Sequence, residues 1–245
     1  MESLLLLLGL LQARRPLPPS SSPVCVSVEV GGQEAPFYPA RDGSGRLYFE
    51  ARPGAAYSVR LRNVTGERVG VALDVDGLNV IDGLPPTGRG RLYILSPYGE
   101  TLVRGWRSSL SEVHLFTFVD EAASYAARTG QSTRRLGWIE ATVFREKAPI
   151  AVAEPESLRE NSADKAAAAP PAPGAQASRS YPATGWGGTS EDHAVEVAFD
   201  AEAVAAQRVT LRYEYRSGLV ALGVLPPLVD HLLERDRGFA RPPLR

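Results

Sequence analysis

Val69-Gly70-Val71-Ala72-Leu73-Asp74-Val75-Asp76-Gly77 decides the fold class. Apolar residues stand at 69, 71, 73 and 75, every second position, and side chains on a strand point alternately to opposite faces. The run reads as a strand with one buried face, closed by turn chemistry at Asp76-Gly77. Upstream the same period appears at Val24, Val26, Val28 and Val30, ended by Gly31-Gly32, and again at Tyr57, Val59 and Leu61. Short strands are expected at 47–49, 91–95, 100–103, 113–118 and 138–144. Gly83-Leu84-Pro85-Pro86, Ser96-Pro97-Tyr98-Gly99 and Gly130-Gln131-Ser132 punctuate them. Asn63-Val64-Thr65-Gly66 reads as a turn that makes a hairpin of the strands on either side of it. This punctuation predicts an all-β fold, mainly an antiparallel β-sandwich of jelly-roll or Ig-like type, over a βαβ fold. A short helical insert is expected at 121–127, where alternation lapses, stopped by Thr129-Gly130.

The sandwich is expected over 24–146. Residues 147–180 are rich in Ala, Pro, Ser and Glu, a linker composition. Alternation returns at Val195, Val197 and Phe199 and at Val209, Leu211, Tyr213 and Tyr215. Two or three strands alone are marginal in water, so residues 181–225 are expected to dock on the first domain as a strand pair at a sheet edge. A short amphipathic helix is expected at 228–234, within a 226–245 tail.

Residues 1–23 read as a leader and a Pro/Ser spacer. Leu4 to Leu11 is an apolar run interrupted only by Gly9, too short to span a bilayer and of the length of a signal core. The expectation is export to the periplasm or beyond; a cytoplasmic location is the alternative, because no positive charge precedes the leucines. No transmembrane helix is expected.

The 245 residues carry 27 basic and 28 acidic groups, a formal net charge of −1, so no global field attracts nucleic acid. Gly (23) and Pro (20) are abundant, as a turn-rich fold requires, and 44% hydrophobic residues suffice for a core. A single cysteine, Cys25, excludes an internal disulfide and any multi-cysteine metal site. Flanked by Val24 and Val26, it reads as a strand residue.

Asp74, Asp76, Asn79 and Asp82 concentrate oxygen ligands, the chemistry that calcium takes. Counted from Asp74, however, glycine falls at position four and Pro85 at position twelve, so the EF-hand pattern fails. The structural reading has Asp76 and Asn79 accepting backbone N–H groups in the turn, with Asp74 toward solvent. His114 with Ser108 or Ser109 and Asp120 would be a hydrolase-like trio, but no Gly-x-Ser-x-Gly elbow presents a nucleophile. His114 is expected as a solvated strand residue, and the scattered His193 and His231 make no zinc site. Trp106, Arg107 and Arg128 are the candidate ligand-binding residues, since an arginine beside an aromatic can hold a carboxylate or a planar group. The structural alternative has Trp106 covering the core and Arg107 paired with Glu100 or Glu112. Gly185-Trp186-Gly187-Gly188 lets backbone approach something closely, here the first domain. Asn63-Val64-Thr65 matches a glycosylation sequon, relevant only in a eukaryotic secretory pathway.

Four ordered motifs carry a resemblance. Asp76-Gly77-Leu78-Asn79-Val80-Ile81-Asp82-Gly83, Gly105-Trp106-Arg107-Ser108-Ser109, Tyr125-Ala126-Ala127-Arg128-Thr129-Gly130 and Val143-Phe144-Arg145-Glu146 resemble a family of uncharacterised bacterial proteins. Ala183-Thr184-Gly185-Trp186-Gly187 and Leu222-Gly223-Val224-Leu225 resemble its later segments more weakly. Trp138-Ile139-Glu140-Ala141-Thr142 departs from the family's small apolar residues. The resemblance implies a bacterial origin and a shared fold, and carries no site residue.

With no assembled acid, base, nucleophile or ligand set, and no cofactor called for, the sequence favours a non-catalytic binding or structural module whose partner is another protein or a surface ligand. An enzyme with a carboxylate site near Asp74, Asp76 and Asp82, and a subunit of a surface assembly, are the alternatives.

Overall fold

The computed structural model describes residues 22–147 and 181–227. The expected leader (but for its last two residues), the linker beyond Lys147 and the 228–234 helix with His231 lie outside the described residues.

In chain order the strands are β1 (Val24–Val30), β2 (Gln33–Glu34), β3 (Tyr38–Pro39), β4 (Leu47–Ala51), β5 (Ala56–Asn63), β6 (Val69–Val75) and β7 (Leu78–Asn79). There follow β8 (Tyr93–Leu95), β9 (Glu100–Val103), β10 (Gly105–Arg107), β11 (Glu112–Asp120), β12 (Trp138–Arg145), β13 (Pro182–Glu191) and β14 (Gln207–Tyr215). A 3₁₀ turn at Glu121–Ala123 and helix α1 (Tyr125–Arg128) occupy the expected helical insert, and α2 (Arg216–Ala221) follows β14. The fold is all-β, as the alternation predicts.

Two sheets form. Sheet A runs β10-β11-β5-β1-β2, with β13 on β11 and β9 on β5. Sheet B runs β3-β4-β14-β12-β6-β7, with β8 also on β6. Every pairing is antiparallel except β14 with β4. Inward residues of sheet A, such as Val28, Val59, Leu61, Phe116 and Phe118, meet Phe49, Val71, Leu73, Ile139, Leu211 and Tyr213 of sheet B in one apolar core. Cys25 is a free, half-buried residue of β1.

Three expectations are corrected. Asn63 to Gly66 does not close a hairpin: β5 belongs to sheet A and β6 to sheet B, so this turn crosses between layers. All seven residues of β6 are buried, and such a strand needs cover on both faces. The true two-residue hairpins are at Gly31-Gly32, where Val30 pairs with Gln33, and at Asp76-Gly77, where Val75 pairs with Leu78. All four of these loop residues have positive φ, which suits the right-handed twist of the flanking strands.

Nor do the later strands form a pair at one edge. β13 joins sheet A along β11, whereas β14 lies inside sheet B between β4 and β12. The segment that follows the linker thus completes both layers.

The alternating Val195, Val197 and Phe199 also make no strand. Residues 192–200 lie outside every ladder and run as a strap, bonded among the described residues to neighbouring backbone only at Asp192, Ala194 and Asp200, with Val195 83% and Val197 53% exposed. The strand is Pro182–Glu191, and its glycines explain why it escapes periodicity. A Cβ on Gly187 would lie 2.6 Å from the Leu115 carbonyl oxygen and 2.6 Å from Thr117 Oγ1. This is the close backbone approach to the first domain expected of Gly185-Trp186-Gly187-Gly188.

On the outer face of sheet B, α2 brings Leu219, with Val224 and Leu225, onto Tyr48 in a second small core. On β12, Ile139, Ala141 and Val143 point inward, while Trp138 lies between Arg135 and Arg212 at 5.3 and 5.1 Å. Trp138 and Glu140 therefore stand outside the core, while Ile139 lies within it.

Candidate functional site

The Asp76-Gly77 hairpin turns Asp76 inward. Its φ of 53° lifts the side chain off the outer-face register of β6 and drives it between the sheets, where it is 2% exposed. An isolated carboxylate there would be costly, and three distant segments supply donors. Tyr213 Oη donates to Oδ1 at 2.5 Å and the Gly137 N–H at 2.9 Å, while the Thr184 N–H donates to Oδ2 at 2.7 Å. Tyr213 has one proton and spends it on Asp76. Thr184 Oγ1, 2.8 Å from Tyr213 Oη, therefore donates to Tyr213, and Tyr57 Oη, 2.7 Å from Thr184 Oγ1, donates to Thr184. With Asp76 ionised, the direction of the whole relay, Tyr57 to Thr184 to Tyr213 to Asp76, follows from its acceptor-only end.

Burial pushes the Asp76 carboxyl up to about 7, against the downward pull of Tyr213 and of the backbone N–H groups of Thr184, Gly137 and Trp138. Burial also raises both tyrosines well above their usual value. The relay has no room for a substrate: Tyr57, Asp76, Thr184 and Tyr213 are all at most 3% exposed.

The oxygen-rich loop does not converge. Asp74, expected toward solvent, is 8% exposed on the outer face, where the short β7 and the loop behind it cover β6. Asn79 Nδ2 donates to it at 3.2 Å, and burial, then Glu140 and Asp82 against the pull of Asn79, lift its carboxyl to about 6. Asn79 Oδ1 accepts the Ile81 N–H, the turn role expected of it, and Asp82 is exposed and accepts the Leu84 N–H. Asp76 points into the core, so its backbone donors come from Gly137 and Thr184 and not from its own turn. Among the described residues no group of three His, Cys, Asp or Glu could hold a metal ion.

His114, Ser108 and Asp120 are not brought together. Asp120 ends β11 and accepts from Tyr215 Oη at 3.0 Å, while Ser108 donates to Glu112. Six strand residues separate His114 from Asp120, about 20 Å. The ring of His114 is not freely solvated: it stacks on Trp186 at 4.1 Å. Trp186 in turn stacks on Tyr125 at 5.0 Å, and Tyr125 lies 4.5 Å from Trp106, which meets Phe116 edge-on at 5.4 Å. A bulge between His114 and Phe116 makes this ladder possible, because it puts Val113 and Phe116 on the same inner face despite their odd spacing.

Of the candidate binding residues, Trp106 is 1% exposed and donates its indole N–H to the Gly185 carbonyl at 3.1 Å. Arg107 pairs with neither Glu100 nor Glu112. It donates to Asp192 Oδ1 at 2.6 Å and to the Asp192 carbonyl at 2.9 Å. Arg128 is exposed at the end of α1. The three do not form one surface.

Neither a family model, nor a curated protein, nor a solved structure matches this chain.

Arg107 belongs to a set that the sequence did not reveal. Arg68 donates to the Ala198 carbonyl at 2.9 Å and Arg89 to the Ala201 carbonyl at 2.6 Å, while Arg91 lies 3.6 Å from Glu196. Arg107 and Arg68 thus fasten the strap through its Asp192 and Ala198 carbonyls, Arg91 meets its Glu196 carboxylate, and Arg89 holds Ala201 just beyond it. Phe199 lies over Gly70, where a Cβ would meet its ring at 2.7 Å. Tyr57, Thr184 and Tyr213 were likewise invisible as a set, since 57, 184 and 213 are far apart and each reads locally as an ordinary strand residue.

Proposed function

We propose that this chain is a non-catalytic interaction module that presents the strap and the surface beside it to a partner. One observation carries the reading. Val195 and Val197, 83% and 53% exposed, project from a segment that five side-chain contacts, four from arginines and one from Phe199, hold in place. Leu110, 52% exposed, stands beside them. A fixed apolar surface is a cost to a solitary soluble protein and an asset at an interface. The carboxyls that could serve chemistry supply no rival site: Asp76 is sealed in its relay, and Asp74 and Asp82 share no pocket with it. The Leu4 to Leu11 run supports export, and the four motifs support a bacterial origin.

A photo-crosslinking residue at Val195, compared with one at the exposed Arg128, tests the reading in the producing cell. One discrete adduct from position 195 and none from 128 is expected. Equal labelling from both, or none, contradicts it. Fractionation of the full chain tests export.

A further inference from the structure

The strap and β8 face each other across a groove without pairing. β8 is an edge strand of sheet B, bonded to β6 alone. Across from it, none of the N–H groups of residues 195–199 donates a hydrogen bond among the described residues. Between them lies a groove of about 1070 Å³, with apolar walls from Ile81, Leu92, Ile94, Leu110 and Phe199. That volume stands at the upper end of what small-molecule sites use, about 300–1,000 Å³. A free strand edge beside an apolar wall selects another extended backbone: main-chain bonds give affinity, and pockets take alternate side chains.

The charges on the groove narrow the occupant further. Arg107 is paired with Asp192, Arg68 with Glu146 and Arg91 with Glu196. The remaining titratable groups on the wall are Tyr93, whose hydroxyl accepts from Arg107 Nε at 3.5 Å, and His193, which is exposed. Each arginine on the wall thus already has a carboxylate partner within 4 Å, and among the described residues the groove holds no unpaired charge to draw in a charged occupant.

We infer that the groove between β8 and residues 192–199 receives an extended, uncharged peptide segment of a partner protein, which adds to the free edge of β8 as a further strand of sheet B. This rests on the interaction-module reading and names the class of partner. The strap's alternation then has a purpose: Val195, Val197 and Phe199 are patterned for a strand whose neighbour comes from another chain.

The test is selection from a random linear nonapeptide library displayed on its own mRNA, against the full chain. The comparison is the double variant Leu110→Glu/Val197→Glu, both of whose sites are more than half exposed, so that the fold is retained. Expected are enriched peptides that are uncharged and alternate apolar residues, that bind the double variant at least tenfold more weakly, that lose binding when alternate amides are N-methylated, and that slow amide exchange at residues 92–96. The absence of any enriched peptide, or enrichment of charged ones, overturns the inference. Peptides that bind the double variant equally well also overturn it, yet leave the interaction-module reading standing at another surface. A chain that elutes as a dimer with the 92–96 amides already protected gives the groove to a second copy and overturns it as well.

Discussion

Tyr213 donates its hydroxyl proton to Asp76 across 2.5 Å inside the apolar core, joining a strand after the linker to a hairpin before it. Thr184 closes the same connection from β13. Sheet pairing and this relay together build β13 and β14 into the two layers formed by the strands before them. The relay also fixes which way the post-linker strands enter, because only one register presents the Thr184 N–H and the Tyr213 hydroxyl to one carboxyl.

Tyr213→Phe leaves the ring in place and removes the hydroxyl. Asp76 then loses a donor, and the Thr184 hydroxyl loses its acceptor. The expected cost is about 1–3 kcal/mol of unfolding free energy, read as a lower urea midpoint at an unchanged slope.

Stability is expected to fall as pH rises from about 4 to 8. Asp76 and Asp74 lie at about 7 and about 6 in the folded chain, above their ordinary 3.8. Their contribution is therefore complete below the unfolded value, where both states are protonated. It is lost as pH climbs through the folded values, where the unfolded chain gives up protons that the folded chain keeps. Burial raises Glu214 in the same sense. The combined loss is on the order of a few kcal/mol. Thermal melts between pH 4 and 8 check the sign, and in Asp76→Asn the fall shrinks to the part due to Asp74 and Glu214.

Gly187→Ala tests the seat of β13. The new methyl meets the Leu115 carbonyl oxygen at 2.6 Å, and backbone cannot swing aside as a side chain can. A loss of about 1–3 kcal/mol is expected, with faster amide exchange along β11 and β13. Gly188→Ala, which meets nothing within 4 Å, is the control.

Trp106→Ala removes the buried centre of the aromatic ladder and the bond to Gly185. A cost of about 3–5 kcal/mol is expected, together with loss of near-ultraviolet dichroism. A change under about 1 kcal/mol would place the ring at the surface.

Alternation made the layers legible. Residues 69–75 and 100–103 begin and end where the sequence places them, and in β6 the inward Val69, Val71, Leu73 and Val75 keep the period of two although the outer face is covered as well. Period alone does not say which strand pairs with which, so the 63–66 turn looked like a hairpin and the 195–199 strap like a strand. β13 was hidden for the opposite reason: it packs so closely on β11 that glycines replace the side chains that would have signalled it. Asp76 was legible as a turn residue but not as a core residue, because its left-handed backbone moves it off the register that places Asp74 outside. The arginine clamps were hidden because Arg68 and Arg89 bind carbonyls, which every residue has, and because Asp192 and Glu196, the carboxylate partners of Arg107 and Arg91, lie about 85 and 105 positions away along the chain.

The most direct test is to place a specific protease site within 160–167 of the full chain, cut it, and follow both pieces by size-exclusion chromatography and thermal melting. If residues 181–227 supply interior strands of both sheets, the pieces co-elute and melt as one cooperative unit. After separation in denaturant the N-terminal piece alone then regains no cooperative transition. An N-terminal piece that elutes alone, with its own sharp transition and the near-ultraviolet signal of Trp106, would contradict the account.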